Sequence, residues 1–206
     1  MLRCLRSQNY GAADSDTGGK VAISADGDTV LWRTSNRGVI VSQYTNPFQP
    51  VSSLPSGAQI ASDKRNNSVF YAASGSRFYT SRDGGRTFTS PSALGSSTAP
   101  FKVIVHPSVT GDVWVSTDKG IFHSTNFGSS FTQVNGPTEA WSIALGAPRS
   151  SGGYPALYAA ATIDSTTGYY RSDDAGANWV HINDDKLGFG TPSANVMTAD
   201  LRTYGR

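Results

Sequence analysis

The feature that most constrains the fold of this chain is a turn motif that recurs. Ser81-Arg82-Asp83-Gly84-Gly85-Arg86-Thr87-Phe88 follows the pattern Ser-x-Asp-x-Gly-x-Thr-aromatic. The pattern returns at Ser124-Thr125-Asn126-Phe127-Gly128-Ser129-Ser130-Phe131 and at Ser172-Asp173-Asp174-Ala175-Gly176-Ala177-Asn178-Trp179, so the copies start 43 and 48 residues apart. Such an Asp box explains itself physically. The acidic or Asn side chain (Asp83, Asn126, Asp174) accepts backbone N–H groups and fixes a turn. The glycine (Gly85, Gly128, Gly176) permits a positive φ. The aromatic (Phe88, Phe131, Trp179) is placed to pack between neighbouring units. These boxes are read as structural, with Ser81, Ser124 and Ser172 each closing a strand.

Around the boxes the chain divides into units of four short strands, A to D. The expected strands are 21–24, 29–34, 38–43 and 48–52, then 59–62, 68–73, 77–81 and 87–90. The third unit has 101–106, 112–116, 120–124 and 130–134, and the fourth 141–145, 156–162, 168–172 and 178–182. A fifth unit opens at 195–200. Each strand is rich in Val, Ile, Phe and Tyr and bounded by Gly, Asn, Asp and Ser. Strand B supports the register, with Trp32, Tyr71, Trp114 and Tyr158 spaced by 39, 43 and 44 residues. In unit one the box is lost, since Ser42-Gln43-Tyr44-Thr45-Asn46-Pro47-Phe48 keeps only its outer positions. No segment shows helical periodicity.

Four antiparallel strands repeating every 40–50 residues predict an all-β fold, a β-propeller of four blades and the start of a fifth. The expected organisation is an irregular leader over 1–19, then blades at about 20–56, 57–98, 99–139 and 140–192, with the next starting at 193–206. A ring usually needs more blades, so a partial ring, truncated at both ends, is expected.

The charge balance, 17 Lys+Arg against 15 Asp+Glu, gives nucleic acid or a membrane surface no electrostatic support. One cysteine, Cys4, excludes an internal disulfide. No apolar run reaches membrane-span length, and the first residues lack the apolar core of a secretion signal.

Propeller geometry puts the boxes and A–B turns on one face and the B–C and D–A loops on the other, where ligands usually bind. Trp141, at the start of the fourth unit's strand A, is the candidate for stacking on a sugar ring, against ordinary packing between blades. The longest D–A loop, 183–194, carries Asp184, Asp185, Lys186 and Phe189; the two acids are candidates for hydrogen-bonding a polyol, against solvated loop acids. His106, His123 and His181 are assigned to different strands of different blades and show no metal-ligand spacing, so neither a metal nor a cofactor is expected. Asn66-Asn67-Ser68 matches an N-glycosylation sequon in a predicted A–B turn.

Several segments carry a family resemblance over about residues 10–206. Ser24-Ala25-Asp26-Gly27-Asp28-Thr29-Val30-Leu31-Trp32, Ile60-Ala61-Ser62-Asp63-Lys64-Arg65-Asn66-Asn67, and Tyr170 to Gly176 running on to Trp179 and Asn183-Asp184-Asp185 resemble glycoside hydrolase family 74. This family comprises xyloglucanases and oligoxyloglucan reducing-end-specific cellobiohydrolases. The resemblance implies two seven-bladed propellers facing across a cleft, and inverting cleavage of xyloglucan or a related β-glucan. An acid and a base aspartate flank the bond with room for water between them. It further implies that this chain is part of the C-terminal propeller, forming one wall of the cleft. The other partner would be a first propeller on the same polypeptide, and the full-length protein would be extracellular. Neither catalytic segment has a match here: Asp26, Asp63 and Asp200 fall at the A–B turn ends of their strands, on the wrong face. No catalytic residue is carried over, and the chain alone is expected to be inactive. The alternative is a non-catalytic Asp-box propeller that binds glycans or proteins. A sialidase would need clustered arginines, which are scattered here, and a sortilin-like receptor a cysteine-rich module.

Overall fold

The computed structural model describes residues 18–44, 46–183 and 196–206. Within them every regular element is a strand. Four sheets follow one another along the chain, each a four-stranded antiparallel meander. The first holds β1 (Lys20–Ile23), β2 (Thr29–Arg33), β3 (Val39–Gln43) and β4 (Gln49–Pro50). The second holds β5 (Gln59–Ser62), β6 (Phe70–Ser74), β7 (Arg77–Ser81) and β8 (Thr89–Ala93). The third holds β9 (Pro100–Val105), β10 (Val113–Thr117), β11 (Gly120–Ser124) and β12 (Thr132–Gln133). The fourth holds β13 (Pro137–Pro148), β14 (Pro155–Ile163), β15 (Thr166–Ser172) and β16 (Val180–His181). The all-β partial propeller read from the repeat is the fold of the chain.

The sheets pack face to face, and a separate apolar core fills each of three seams. Leu31, Val39, Val41, Ile60 and Phe70 fill the first. Tyr71, Phe78, Val103, Val113 and Val115 fill the second. Trp114, Ile121, Ile143, Leu157 and Ala159 fill the third. The first strands of neighbouring sheets, β1, β5, β9 and β13, run side by side and form one concave wall. Alanines such as Ala72, Ala159 and Ala161 let the sheets approach without leaving voids.

Three details depart from the expected strands, each for a local reason. The aromatic register slips by one in the first sheet: Leu31 is fully buried against the second sheet, whereas Trp32 is half-buried with Val21 as its cross-strand partner. A one-residue slip exchanges the faces of a strand. Strand D of the second unit begins at Thr89, not at 87, because the Thr87 N–H is held by Asp83 and the Phe88 N–H by Ser53 Oγ. The fifth unit's strand, expected over 195–200, forms no ladder in its described part; its Asp200 carbonyl instead accepts the Ala147 N–H at 2.7 Å.

Each box closes on the same hydrogen bonds. Ser81 Oγ donates to Asp83 Oδ1 and accepts the Gly85 N–H, while Asp83 Oδ1 accepts the Arg86 and Thr87 N–H groups. Ser124, Asn126 and Gly128 repeat this, as do Ser172, Asp174 and Gly176, except that the N–H groups of Ser129 and Ala177, which match Arg86, go to the Asn126 and Asp174 backbone carbonyls. Each box also reaches back to the preceding sheet. Gln43 Nε2 donates to the Gly84 carbonyl, Thr80 Oγ1 to the Phe127 carbonyl and Ser92 Oγ to the Gly128 carbonyl. Phe131 packs edge-on against Phe78 at 4.7 Å, and the Trp179 indole donates to the Asn135 carbonyl. The boxes are therefore joints between sheets as well as turns within them.

Candidate functional site

The face opposite the boxes carries the B–C turns and D–A loops. Trp141 lies there, as the fifth residue of β13 and not its first, because the ladder with β14 already begins at Pro137. The ladder with β14 pairs Ala140 with Ala161 and Ser142 with Ala160, so Trp141 is the extra residue of a β-bulge. A bulge leaves its residue unpaired and re-aims the side chain. The Trp141 ring is half-buried, and its indole N–H has no hydrogen-bond partner among the described residues. Asp184, Asp185 and Phe189 lie outside the described residues.

Polar groups that sequence reasoning missed gather at the heads of the inner strands. Lys20 on β1 is the cross-strand partner of Arg33 on β2. Its ammonium donates to Gln59 Oε1 at the head of β5 and, at 3.4 Å, to the Phe101 carbonyl. Burial, then the Arg33 charge, holds the Lys20 ammonium below the ordinary lysine range. Lys102 on β9 donates to the Met197 carbonyl. Burial and the nearby Lys20 charge push Lys102 down to about 8. Aligning the strand heads Lys20, Gln59 and Lys102 was the available signal. Next to them the concave wall bounds an open cavity of about 740 Å³, lined by Lys102, Ala22, Ile60, Val103, Leu145 and Met197 among others. Trp141 stands outside it.

Several carboxylates in the described residues are committed to structure. Asp26 accepts from Ser24 Oγ and the Asp28 N–H. Asp63 caps the Arg65 and Asn66 N–H groups and, with its second oxygen, takes the Tyr71 hydroxyl and the Gly111 N–H across the second seam. Asp200 caps the Arg202 and Thr203 N–H groups. Asp118, in the third B–C turn, ties down the loop before β9 by accepting Ser97 Oγ, Thr98 Oγ1 and the Thr98 and Ala99 N–H groups at 2.8–3.0 Å. Desolvation is the largest single influence on Asp118 and pushes its carboxyl up, but the Ala99, Ser97 and Thr98 hydrogen bonds together outweigh it and hold the carboxyl at about 2.

That depression predicts an acid-labile clamp. The folded pKa lies below the unfolded value of about 3.9, so the unfolded state binds more protons between the two. The stabilisation is complete above about pH 4 and is lost as pH falls toward 2. Thermal melts of the parent and of Asp118→Asn are expected to differ at pH 5 and to converge at pH 2. A gap that stays constant across this range would refute the clamp.

The histidine assignment needs correcting. His106, which follows β9, and His123, on β11, share the third sheet. They flank one buried carboxylate, Asp112, which accepts from His123 Nε2, Trp114 Nε1 and Tyr154 OH. His106 Nδ1 accepts the Ser108 and Val109 N–H groups, so burial keeps its pKa lowered and that nitrogen unprotonated. No group of three His, Cys, Asp or Glu side chains able to hold a metal occurs among the described residues.

No family model matches the chain. A xyloglucanase of Hypocrea jecorina is 46% identical over 201 residues, covering 97% of this chain and 24% of that protein. A xyloglucanase of Paenibacillus sp is 36% identical over 208 residues, covering 96% of this chain and 20% of that protein. The crystal structure of the family 74 xyloglucanase from Xanthomonas campestris superposes with a TM-score of 0.80 at 31% identity, over 91% of this chain and 27% of that one. The similarity therefore runs through nearly the whole chain, in sequence and in the packing of its sheets. The chain belongs to glycoside hydrolase family 74, and spans about a quarter of the length of these relatives.

Proposed function

We propose that this chain is a section of a xyloglucan-cleaving, inverting glycoside hydrolase and forms one wall of its substrate cleft. The observation that carries the reading is the identity to xyloglucanases along almost the full chain. In this reading the acid and base carboxylates are supplied by the rest of the polypeptide. The engagement of Asp26, Asp63, Asp118 and Asp200 in turn hydrogen bonds supports that division. The full-length protein acts outside the cell, where its polysaccharide is found. On the wall itself, Trp141 is the stacking platform for a glucose ring. Asp184, Asp185 and Phe189 are the further sugar-contact candidates, and the boxes and Asn66 lie on the face opposite Trp141.

The chain alone is expected to bind xyloglucan oligosaccharides without cleaving them. Trp141→Ala is expected to weaken that binding by about 0.5–1.5 kcal/mol, the worth of one aromatic contact, with the unfolding midpoint little changed. Calorimetric titration with a xyloglucan heptasaccharide, alongside a reducing-sugar assay, checks both statements. Unchanged affinity in Trp141→Ala would remove the platform, and sugar release by the purified chain would overturn the division of labour.

A further inference from the structure

Asn66-Asn67-Ser68 is the one Asn-x-Ser/Thr sequence of the chain in which x is not proline. It occupies the turn between β5 and β6, and residues 64–68 are all exposed there. Sequon matches are frequent by chance, so the geometry of this turn has to decide. Asn66 Oδ1 accepts the Ser68 N–H at 3.1 Å, and the Asn66 N–H and carbonyl are held by Asp63 Oδ1 and the Val69 N–H. Its Nδ2 has no partner among the described residues, and neither has the Ser68 hydroxyl. Every bond that shapes the turn therefore uses atoms other than the one a glycan would take. The neighbouring Asn67 differs, because its Oδ1 accepts the Asp26 N–H across the first seam. The turn is also on the box face, so a bulky attachment there leaves the face that holds Trp141 open.

The residues immediately before the acceptor matter as well. Lys64 and Arg65 form an exposed basic pair on a turn tip, the kind of place where proteases cut. The bond after the pair, Arg65–Asn66, has the acceptor as its very next residue.

We propose that Asn66 is an N-glycan acceptor and that its glycan shields the Lys64-Arg65 pair from trypsin-like and basic-pair proteases. In the transfer, Asn66 Nδ2 forms a bond to C1 of the first sugar of a polyprenyl-pyrophosphate-linked oligosaccharide. The C1–oxygen bond breaks, the lipid pyrophosphate leaves with the bonding pair, and the amide proton passes to a base of the transferase. Asn66 Oδ1 keeps its hydrogen bond to Ser68 throughout. The inference rests on the extracellular reading above, since the transferase acts on chains that are translocated out of the cytosol.

The test is to direct the full chain into the yeast secretory pathway behind a secretion signal and to score retained and secreted material together. One glycan is expected, removed by peptide N-glycosidase and mapped to the peptide carrying Asn66. Ser68→Ala, which removes an exposed hydroxyl without a partner, is expected to lose the glycan completely, as is Asn66→Gln. Trypsin is then expected to cut Arg65–Asn66 severalfold faster in Ser68→Ala than in the glycosylated parent. An unmodified Asn66 peptide in both fractions overturns the acceptor assignment. Equal cutting of parent and Ser68→Ala overturns the shield. Because the signal is supplied, neither result depends on where the natural protein resides; that is read separately, by fractionating a source culture.

Discussion

Gly128→Ala is expected to destabilise the chain by about 2–5 kcal/mol, a large share of the roughly 5–15 kcal/mol that holds an ordinary domain together. Two costs combine. The residue sits at φ +75°, where an L side chain pays about 1–2 kcal/mol. The added Cβ would also overlap the edge of the Phe78 ring, 2.1 Å from Cε1, and overpacking a filled core costs about 1–3 kcal/mol. The ring has nowhere to go: Phe78 is fully buried, tilted on Tyr71 at 5.9 Å and edge-on to Phe131 at 4.7 Å. The equivalent change in the second sheet is the control. At Gly85 the nearest atom a Cβ would meet is Leu31 Cδ1 at 3.4 Å, so Gly85→Ala carries the φ cost alone. Urea unfolding of the two variants against the parent decides the matter. Equal losses would mean that the box of the third sheet does not press on the second sheet, and that the boxes act as local turns only.

That contrast marks what the sequence could reveal. The boxes display their own turn chemistry, because Ser, Asp or Asn and Gly sit at fixed offsets and every partner lies within five residues. They do not display the sheet they lean on, because Gln43, Thr80 and Phe78 are about 40–50 residues away and carry no pattern of their own. Strand order and blade count were legible for the same reason the boxes were. The one-residue slip at Leu31 and Trp32 was not, since Val30, Leu31 and Trp32 are all apolar and alternation gives no face to choose. The site is harder still. Trp141 was found as an aromatic at a strand head, yet the bulge that re-aims it depends on how Ala140 and Ser142 pair with β14. The cap before β10 shows a hidden equivalence. Asp63, His106 and Asp200 stand at the same point of the second, third and fifth units and each accepts the N–H groups two and three residues on. An imidazole nitrogen does there what a carboxylate oxygen does elsewhere, so a search for repeated acids passes over it.

Asp112→Ala is expected to cost about 3–5 kcal/mol, because it removes the carboxylate shared by three donors in the third seam, leaving His123 and Tyr154 without that acceptor and Trp114 Nε1 with only the Tyr154 oxygen. Asp112 is 4% exposed. Its Oδ1 accepts Trp114 Nε1 at 3.1 Å and His123 Nε2 at 2.9 Å, and both oxygens face the Tyr154 hydroxyl at 2.8–2.9 Å. Burial, reinforced by the Asp112 charge, raises the Tyr154 pKa, so the phenol stays protonated and donates. His123 stacks on Trp114 at 3.8 Å, which fixes the imidazole where its nitrogen meets the carboxylate. A carboxylate surrounded by histidine, tyrosine and tryptophan invites a catalytic reading. Its Oδ1 is already taken by three donors, and the group lies on the box side, at the A–B end of the third sheet. Its work is to join two blades: Asp112, Trp114 and His123 belong to the third sheet, and Tyr154 arrives from the turn between β13 and β14 of the fourth. Asp112→Asn keeps the shape and one acceptor oxygen, and Tyr154 can rotate its hydroxyl to accept from the new amide. A loss of about 1–3 kcal/mol is expected there. Tyr154→Phe removes only the hydroxyl. Combined with Asp112→Ala it is expected to be less than additive by about 0.5–3 kcal/mol, the range for residues of one network. Additive losses in that cycle would mean that the carboxylate serves the third sheet alone, and that the apolar core holds the fourth sheet without it.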